Sequence, residues 1–466
     1  MERVHVFRDD ALGSHDAVGL VELLHAGQVS SAELVEAAIA RITEVDPALN
    51  AVAVADHERA RARARQPAPG YFSGVPTLLK DNVEVAGLPT QHGADAFVSR
   101  PAPRHGDVAR LFDALGAVTL AKTRMSEFGF SASCEHPRQG PVRSPWDTAR
   151  TAGASSAGAG ALVAAGAVPL AHGNDGGGSI RIPAAVNGLV GLKPTRGRTP
   201  SERESRAMPL RIVADGVVTR SVRDTAAFLR EAERVYRDPR LKPVGDVRRP
   251  GRRRLRIAVS TAGVGRAASP EVERLTLATA ARLEDLGHHV ERIDPPVPSW
   301  FADAFLLYWA FLAGFLVATG KRTHPETWNP QNLDNLTLGL AAKARRHWYA
   351  VPAATAVLAA SKSASRRLYT DYDVTLTPTL AHETPRLGHL DPTLPFETVM
   401  DRLLDWVAFT PLQNATGDPA ISLPLALTSS GLPQGMHFSA GWGEDALLLE
   451  LALELEQELG FTDLRG

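Results

Sequence analysis

The chain has 466 residues, with 51 Lys and Arg against 52 Asp and Glu and a formal net charge of −1. Charged residues make up 22% and hydrophobic residues 44%, a globular balance that excludes a largely disordered chain, while near-neutrality argues against a whole-chain nucleic-acid binder. A single cysteine, Cys134, can form neither an internal disulfide nor a Cys-rich zinc site, which points to a reducing cytoplasm. The length admits about three domains or one large α/β domain.

The first ten residues, MERVHVFRDD, are charged and lack the apolar stretch of a secretory signal. Apolar residues at helical spacing over 18–26 predict a helix stopped by Gly27. Ser30 and Glu33 have the spacing of a capping box, and the helix SAELVEAAIARITEV that follows is expected to end near Asp46-Pro47. A strongly charged helix through HERARARARQ is expected to be solvated. From Tyr71 the texture changes to strands GVPTLLKD and AVTLAKT around a helix ARLFDALG, an α/β rhythm. Residues 1–70 therefore read as an N-terminal helical segment and 71–466 as the main domain. Residues 140–200 are rich in Gly, Ala and Ser, and GALVAAGAVPLAHG reads as a small-residue helix running into a strand. Prolines and arginines over 236–256 predict an exposed connection. Strands LRIAVS, YDVTLTPT and AISLPLAL and a last helix over 444–459 complete the pattern. Residues 304–320 carry no charge but fall just short of the ~18–20 that a membrane span needs, so they predict a buried or pocket-lining helix without stable membrane insertion.

Several chemistries lack their residues. There is no G-x-S-x-G nucleophile elbow, no phosphate loop and no G-x-G-x-x-G, since Val163 follows Gly158-Ala159-Gly160 where a third glycine is needed. His57-Glu58 and His382-Glu383 both lack the second histidine of a zinc-binding H-E-x-x-H. No metal and no cofactor is expected, and the isolated Cys134 reads as an inert core thiol rather than a nucleophile.

The densest signal is GNDGGGSIRI at 173–182. Consecutive glycines let a ligand approach the backbone, and successive N–H groups pointing one way form an anion-binding nest. For acyl transfer such a nest is an oxyanion hole and the adjacent Ser179 a nucleophile; on this segment alone a plain glycine turn stands equal to it. Two other segments shift that balance: TAGASSAGAG at 151–160, with the serine pair Ser155 and Ser156, and GVPTLLKDN at 74–82, where Lys80 ends an apolar strand. A lysine desolvated in an apolar site can lose its proton near neutrality and act as the base a serine requires.

In this order and context, the three segments resemble the amidase signature family of serine amidases. Its Gly/Ser-rich stretch is matched over 153–183 and continues through GLVGLKPTRGR at 188–198. AKTRMSEFG, RSPWD and the run NATGDPAISLPLALTSSGLPQGMHF also fit, so the likeness covers about residues 15–460. The resemblance implies one large α/β domain, a twisted mixed sheet covered by helices on both faces. It implies a Lys–Ser–Ser relay in which Lys80 is the base, Ser155 the bridging serine across a cis peptide bond, and Ser179 the nucleophile. It assigns the oxyanion hole to the N–H groups of Gly176, Gly177, Gly178 and Ser179, structural support to Ser156, Asp175 and Arg181, and the acyl pocket to Phe130, Ser131 and Ile182. The implied activity is hydrolysis of a carboxylic amide to acid and amine through an acyl-enzyme, similar to broad-range bacterial amidases and to 6-aminohexanoate cyclic-dimer hydrolase. The partner is a small amide, with no nucleic acid; a homodimer is compatible with these features but not specified by them.

The chain departs from the family pattern at Ala154 and Ala157, where glycines flank the serine pair in relatives, at Asn174 in place of threonine, and at Arg124 in place of asparagine. Two other readings are weighed. The glutaminase subunit of a tRNA-dependent amidotransferase typically has glutamine where this chain has Ile182. A catalytically silent binding protein on the same fold would predict loss of Lys80, Ser155 or Ser179, and all three are present.

Overall fold

The computed structural model describes residues 3–263, 266–295 and 300–465. Helix Ala17–His25 starts at Asp16, whose carboxylate accepts the Gly19 N–H, and gives way at Gly27, which has φ 66°. The Ser30/Glu33 capping box forms and opens helix Ser31–Leu49. That helix does not end at Asp46-Pro47 as expected; it runs through Pro47 to Asn50, which adopts the left-handed conformation. Proline removes only one backbone donor, and the final turn is held by other bonds: Asn50 N–H donates to Asp46 O (2.7 Å), and the Asp46 carboxylate accepts from Ala51 and Val52 (2.6 and 2.9 Å). The extra turn buries Leu49 completely. Helix His57–Arg65 buries Ala60 and Ala64, while its arginines reach Glu36, Glu58 and Asp113.

The first seventy residues are not purely helical. Strand Val52–Ala55 pairs antiparallel with Val118–Thr123, which pairs in parallel with Pro76–Lys80 in a three-stranded sheet. Four residues are too few for a periodicity signal, and this strand exists because Val118–Thr123 supplies its ladder.

The main sheet has eight strands, in the order His289–Arg292, Arg256–Val259, Val374–Pro378, Pro433–Ala440, Ala420–Leu427, Val190–Lys193, Ala214–Thr219, Leu170–Asp175. Only the two pairings made by Arg256–Val259 are parallel; the other five are antiparallel. Helices flank this mixed sheet, among them Ala157–Ala164, Arg181–Asn187, Val222–Val235 and Asp445–Leu459. Val235 and Arg256 are joined by a mostly exposed connection without regular structure.

The two sheets meet edge to edge. Thr77 Oγ1 donates to Leu170 O (3.2 Å) and Lys80 N–H donates to His172 Nδ1 (3.3 Å), so strand Pro76–Lys80 runs beside strand Leu170–Asp175 without a backbone ladder. Helix Ala157–Ala164 closes this junction from one face, and all eight of its residues are buried. The apolar run at 304–320 lies within a longer helix, Trp300–Thr323, which by length and composition is apolar enough to cross a membrane. It packs against helices Asn335–Arg346 and Val351–Asp371, burying Ala304, Tyr308, Ala310 and Ala313, while Phe315 is exposed.

The small-residue helix yields a stability test. Alanine has the higher helix propensity by about 1 kcal/mol, but a Cβ on Gly158 would overlap the Ala51 carbonyl oxygen and crowd the Arg124 N–H, both backbone groups. Overpacking of this kind costs about 1–3 kcal/mol. Gly158→Ala is therefore expected to destabilise, with a lower urea midpoint; an unchanged or raised midpoint refutes the close backbone approach.

Candidate active site

Lys80 ends its strand fully buried at the sheet junction. Its Nζ lies 2.6 Å from Ser155 Oγ and 2.6 Å from Asn174 Oδ1, with no carboxylate in ion-pair range among the described residues. Burial lowers its pKa to about 7, against the opposing fields of Asp215 and Asp175. The neighbouring Asp81 instead takes another buried lysine, Lys122, at 2.7 Å, and Lys122 also donates to Pro89 O and Thr90 Oγ1. These bonds tie the loop after Lys80 to strand Val118–Thr123.

Ser155 follows a cis peptide bond from Ala154 and is 2% exposed. Ser156 is fully buried, and its Oγ donates weakly to Asn174 O (3.4 Å). Asn174, noted in the sequence only as a departure, thus joins the lysine to the strand that carries Asp175. Arg124, the other departure, points away from Lys80: its Nε donates to Val52 O (3.0 Å) and its Nη1 to Gln139 Oε1.

The loop from Gly176 to Ser179 leaves the edge strand of the main sheet and enters helix Arg181–Asn187. A buried ion pair shapes it. Asp175 accepts from Arg181 Nη2 (2.8 Å) and Nε (2.9 Å) and from the N–H groups of Gly178 (2.8 Å) and Ile180 (3.1 Å). Burial alone would raise this carboxyl's pKa, but the Arg181 charge and the hydrogen bonds outweigh it and hold the group well below the usual carboxylate range. Arg181 also reaches Asn414 Oδ1 (2.7 Å) and His437 Nε2 (3.0 Å). Burial and that same charge lower the His437 pKa, so its ring accepts the bond in the neutral form. Gly178 has φ 133°, and a Cβ there would overlap Thr410 Oγ1 and Ile182. Thr410 Oγ1 donates to Gly177 O (2.6 Å), pinning the loop from the opposite side.

One expectation needs correction. The Gly178 N–H is committed to Asp175, so it does not belong to the open donor set. Among the described residues, the N–H groups of Gly176, Gly177 and Ser179 have no acceptor. Lys80 and Ser155 are joined directly, whereas Ser155 and Ser179 share no hydrogen bond among the described residues.

Ser179 is 7% exposed and lines a cavity of about 350 Å³. Phe130, Ser131 and Ile182, all expected in the pocket, line it too, with Phe305, Leu306 and Trp309 from the long apolar helix. Phe130 and Trp309 meet edge to face at 5.4 Å, and Trp309 stacks on Phe305 at 5.8 Å. Cys134 is buried, and desolvation raises its pKa to about 12, so the thiol stays protonated. Thr410, Gln413, Asn414 and His437, which brace the glycine loop, escape a reading by local motif. Asn414 and His437 fall in the family-like run NATGDPAISLPLALTSSGLPQGMHF at 414–438, which marks the segment but not the contact, and Thr410 and Gln413 lie just before it.

Comparison with known proteins gives this geometry a family. The amidase family model matches residues 33–449, and the chain belongs to the amidase signature family of amide hydrolases. It is 57% identical over 458 residues to "Putative amidase AmiC" of Mycobacterium leprae, covering 98% of both chains. It is 32% identical over 494 residues to the 6-aminohexanoate-cyclic-dimer hydrolase of Paenarthrobacter ureafaciens, covering 95% of this chain and 94% of that one. A solved 6-aminohexanoate cyclic dimer hydrolase superposes with a TM-score of 0.85 at 30% identity, over 97% of this chain and 98% of the other. A bacterial aryl acylamidase does so at 0.84 and 28%, over 96% of each.

The ion pair generates a prediction. Removing one partner of a buried pair leaves the other charge uncompensated, at a cost of about 3–5 kcal/mol. Asp175→Asn strands the Arg181 guanidinium, so the unfolding free energy should fall by about that much in urea titrations; a fall below 1 kcal/mol would show that Asn414 and His437 suffice to hold Arg181.

Proposed function

We propose that this enzyme hydrolyses an amide with an apolar group next to its carbonyl through a Lys80–Ser155–Ser179 relay. The observation that carries the reading is the bond from Lys80 Nζ to Ser155 Oγ at 2.6 Å, in a site so buried that the lysine's pKa falls to about 7. Neutral Lys80 accepts the Ser155 proton while Ser155 accepts that of Ser179. Ser179 Oγ attacks the carbonyl carbon, and the negative oxygen is received by the N–H groups of Gly176, Gly177 and Ser179. The proton returns through Ser155 to the amine nitrogen, the C–N bond breaks, and water hydrolyses the Ser179 ester to release the acid. Asn174 Oδ1 accepts a second Nζ hydrogen, orienting the lysine toward Ser155. Asp175 and Arg181 keep the glycine loop in shape, with Ser156 bracing its strand.

Ile182, Phe130 and Trp309 around the cavity favour an apolar acyl group over glutamine. The similarity to a hydrolase of a cyclic amide supports the same choice. The lone buried Cys134 fits the reducing cytoplasm expected from composition.

The relay is tested by two variants and a pH profile. Ser179→Ala should abolish both hydrolysis and labelling by a serine-directed covalent probe. In the parent, kcat/KM should rise with pH through about 7 and level off, because only the deprotonated lysine is a base. Lys80→Arg should be inactive across that range, since arginine keeps its proton; near-parent activity in Lys80→Arg would reject the relay.

The acyl pocket is tested by chain length. Burying a methylene contributes about 0.8 kcal/mol, so kcat/KM should climb about three- to fourfold per added CH₂ along a linear acyl anilide series until the cavity is full. A flat series, or a preference for glutamine, would return the glutaminase reading to first place.

A further inference from the structure

The cavity has a second, polar end, formed by helix Val351–Asp371 and the turn before strand Ala420–Leu427. Asp418 lies there, 4% exposed and lining the cavity. Its Oδ2 accepts from Ser365 Oγ. Its Oδ1 has no donor among the described residues, and no cation comes within ion-pairing distance of the carboxylate among them. Three positive side chains have fields that reach it, Arg196, Lys362 and Lys193. All three are engaged elsewhere: Arg196 Nη2 donates to Asn414 O and Ala415 O (2.6 and 2.8 Å), Lys362 Nζ sits 3.7 Å from the centre of the Trp442 ring, and Lys193 Nζ donates to Pro194 O (2.9 Å).

Burying an ionised carboxylate is costly unless a partner compensates it. The other polar groups of this end have partners: Tyr369 with Ser439, Gln413 with Ser439, and Thr377 with His437. Asp418 Oδ1 is the exception, and it belongs to a residue facing the space into which Ser179 opens. Two hydroxyl oxygens line the same end: Ser365 Oγ, whose proton is given to Asp418, and Ser361 Oγ, whose proton is given to Leu358 O. Both keep lone pairs free to accept. One carboxylate oxygen and two hydroxyl oxygens match a group with three donors and a compact positive charge.

We propose that Asp418 is the recognition site for a primary ammonium on the substrate, so that the enzyme takes amides whose apolar chain ends in an amine. The methylene stem lies along Phe305 and Trp309, and the ammonium meets Asp418, Ser365 and Ser361. This rests on the reading of Ser179 as the nucleophile and adds the substrate's far end to it.

The test compares two p-nitroanilides of equal chain length, 6-aminohexanoyl and heptanoyl, which differ only in NH₃⁺ against CH₃. A charge-assisted hydrogen bond is worth about 1.5–3 kcal/mol, so the parent should favour the ammonium substrate by about tenfold or more in kcat/KM, chiefly through KM. Asp418→Asn should bring the ratio close to one. A parent ratio of one or less, or a ratio unchanged in the variant, overturns the proposal. Calorimetry with hexylammonium and 1-hexanol reads the site without catalysis and without the variant. The parent should bind the amine about tenfold more tightly, and equal binding overturns the proposal even if the variant fails to fold. Tighter amine binding with neither anilide hydrolysed would sink the nucleophile assignment and leave the ammonium site standing.

Discussion

Everything at this site depends on a lysine nitrogen buried without a carboxylate beside it. Lys80 touches a hydroxyl and an amide oxygen, while the nearby Lys122 holds the aspartate that follows Lys80 in the chain. That exchange of partners matters chemically. Had Asp81 turned inward to Lys80, the pair would have kept the lysine charged and useless as a base. By drawing Asp81 away, Lys122 lets desolvation govern Lys80 and bring its pKa near neutrality.

The second constraint is geometric. The lysine ends a strand of one sheet and the candidate nucleophile lies in the loop after an edge strand of the other, so the proposed relay requires the two sheets to meet at one edge. Thr77 and the Lys80 N–H reach strand Leu170–Asp175 through side-chain and ring acceptors rather than a ladder. Helix Ala157–Ala164, made of Ala, Gly, Leu and Val, fits into the corner because its residues are small enough for backbone to approach backbone. The glycine loop beyond the strand is shaped by Asp175 and Arg181, which use a charge pair inside the protein to hold three consecutive glycines in one conformation. One donor, the Gly178 N–H, is consumed in doing so.

The cavity opens beside these parts. Its aromatic wall is built by a helix whose composition alone would pass for a membrane span. Part of that helix packs against neighbouring helices, and Phe305, Leu306 and Trp309 face the space beside Ser179. The opposite end is lined by serines and a carboxylate, so the cavity is amphipathic along its length. The proposed acyl chain would meet the apolar wall first and the polar end last.

Local sequence determined a good deal. The capping box of Ser30 and Glu33, the glycine stop at Gly27, the strand ending at Lys80 and the serines at 155 and 179 were all legible, because each rests on short-range backbone chemistry or on a contiguous motif. The run through Pro47 was not, since the deciding bonds come from Asp46 folding back onto Ala51 and Val52. Nor was strand Val52–Ala55, which depends on a partner some seventy residues away. The same reason separates the two halves of the site. The residues proposed for the relay were written in three segments, but the position of Asn174 against Lys80, the diversion of Asp81 to Lys122 and the bracing of the glycine loop by Thr410, Asn414 and His437 were decided by tertiary structure. Hydrogen bonds and desolvation act over a few ångströms in space, and only the packed chain brings those groups that close.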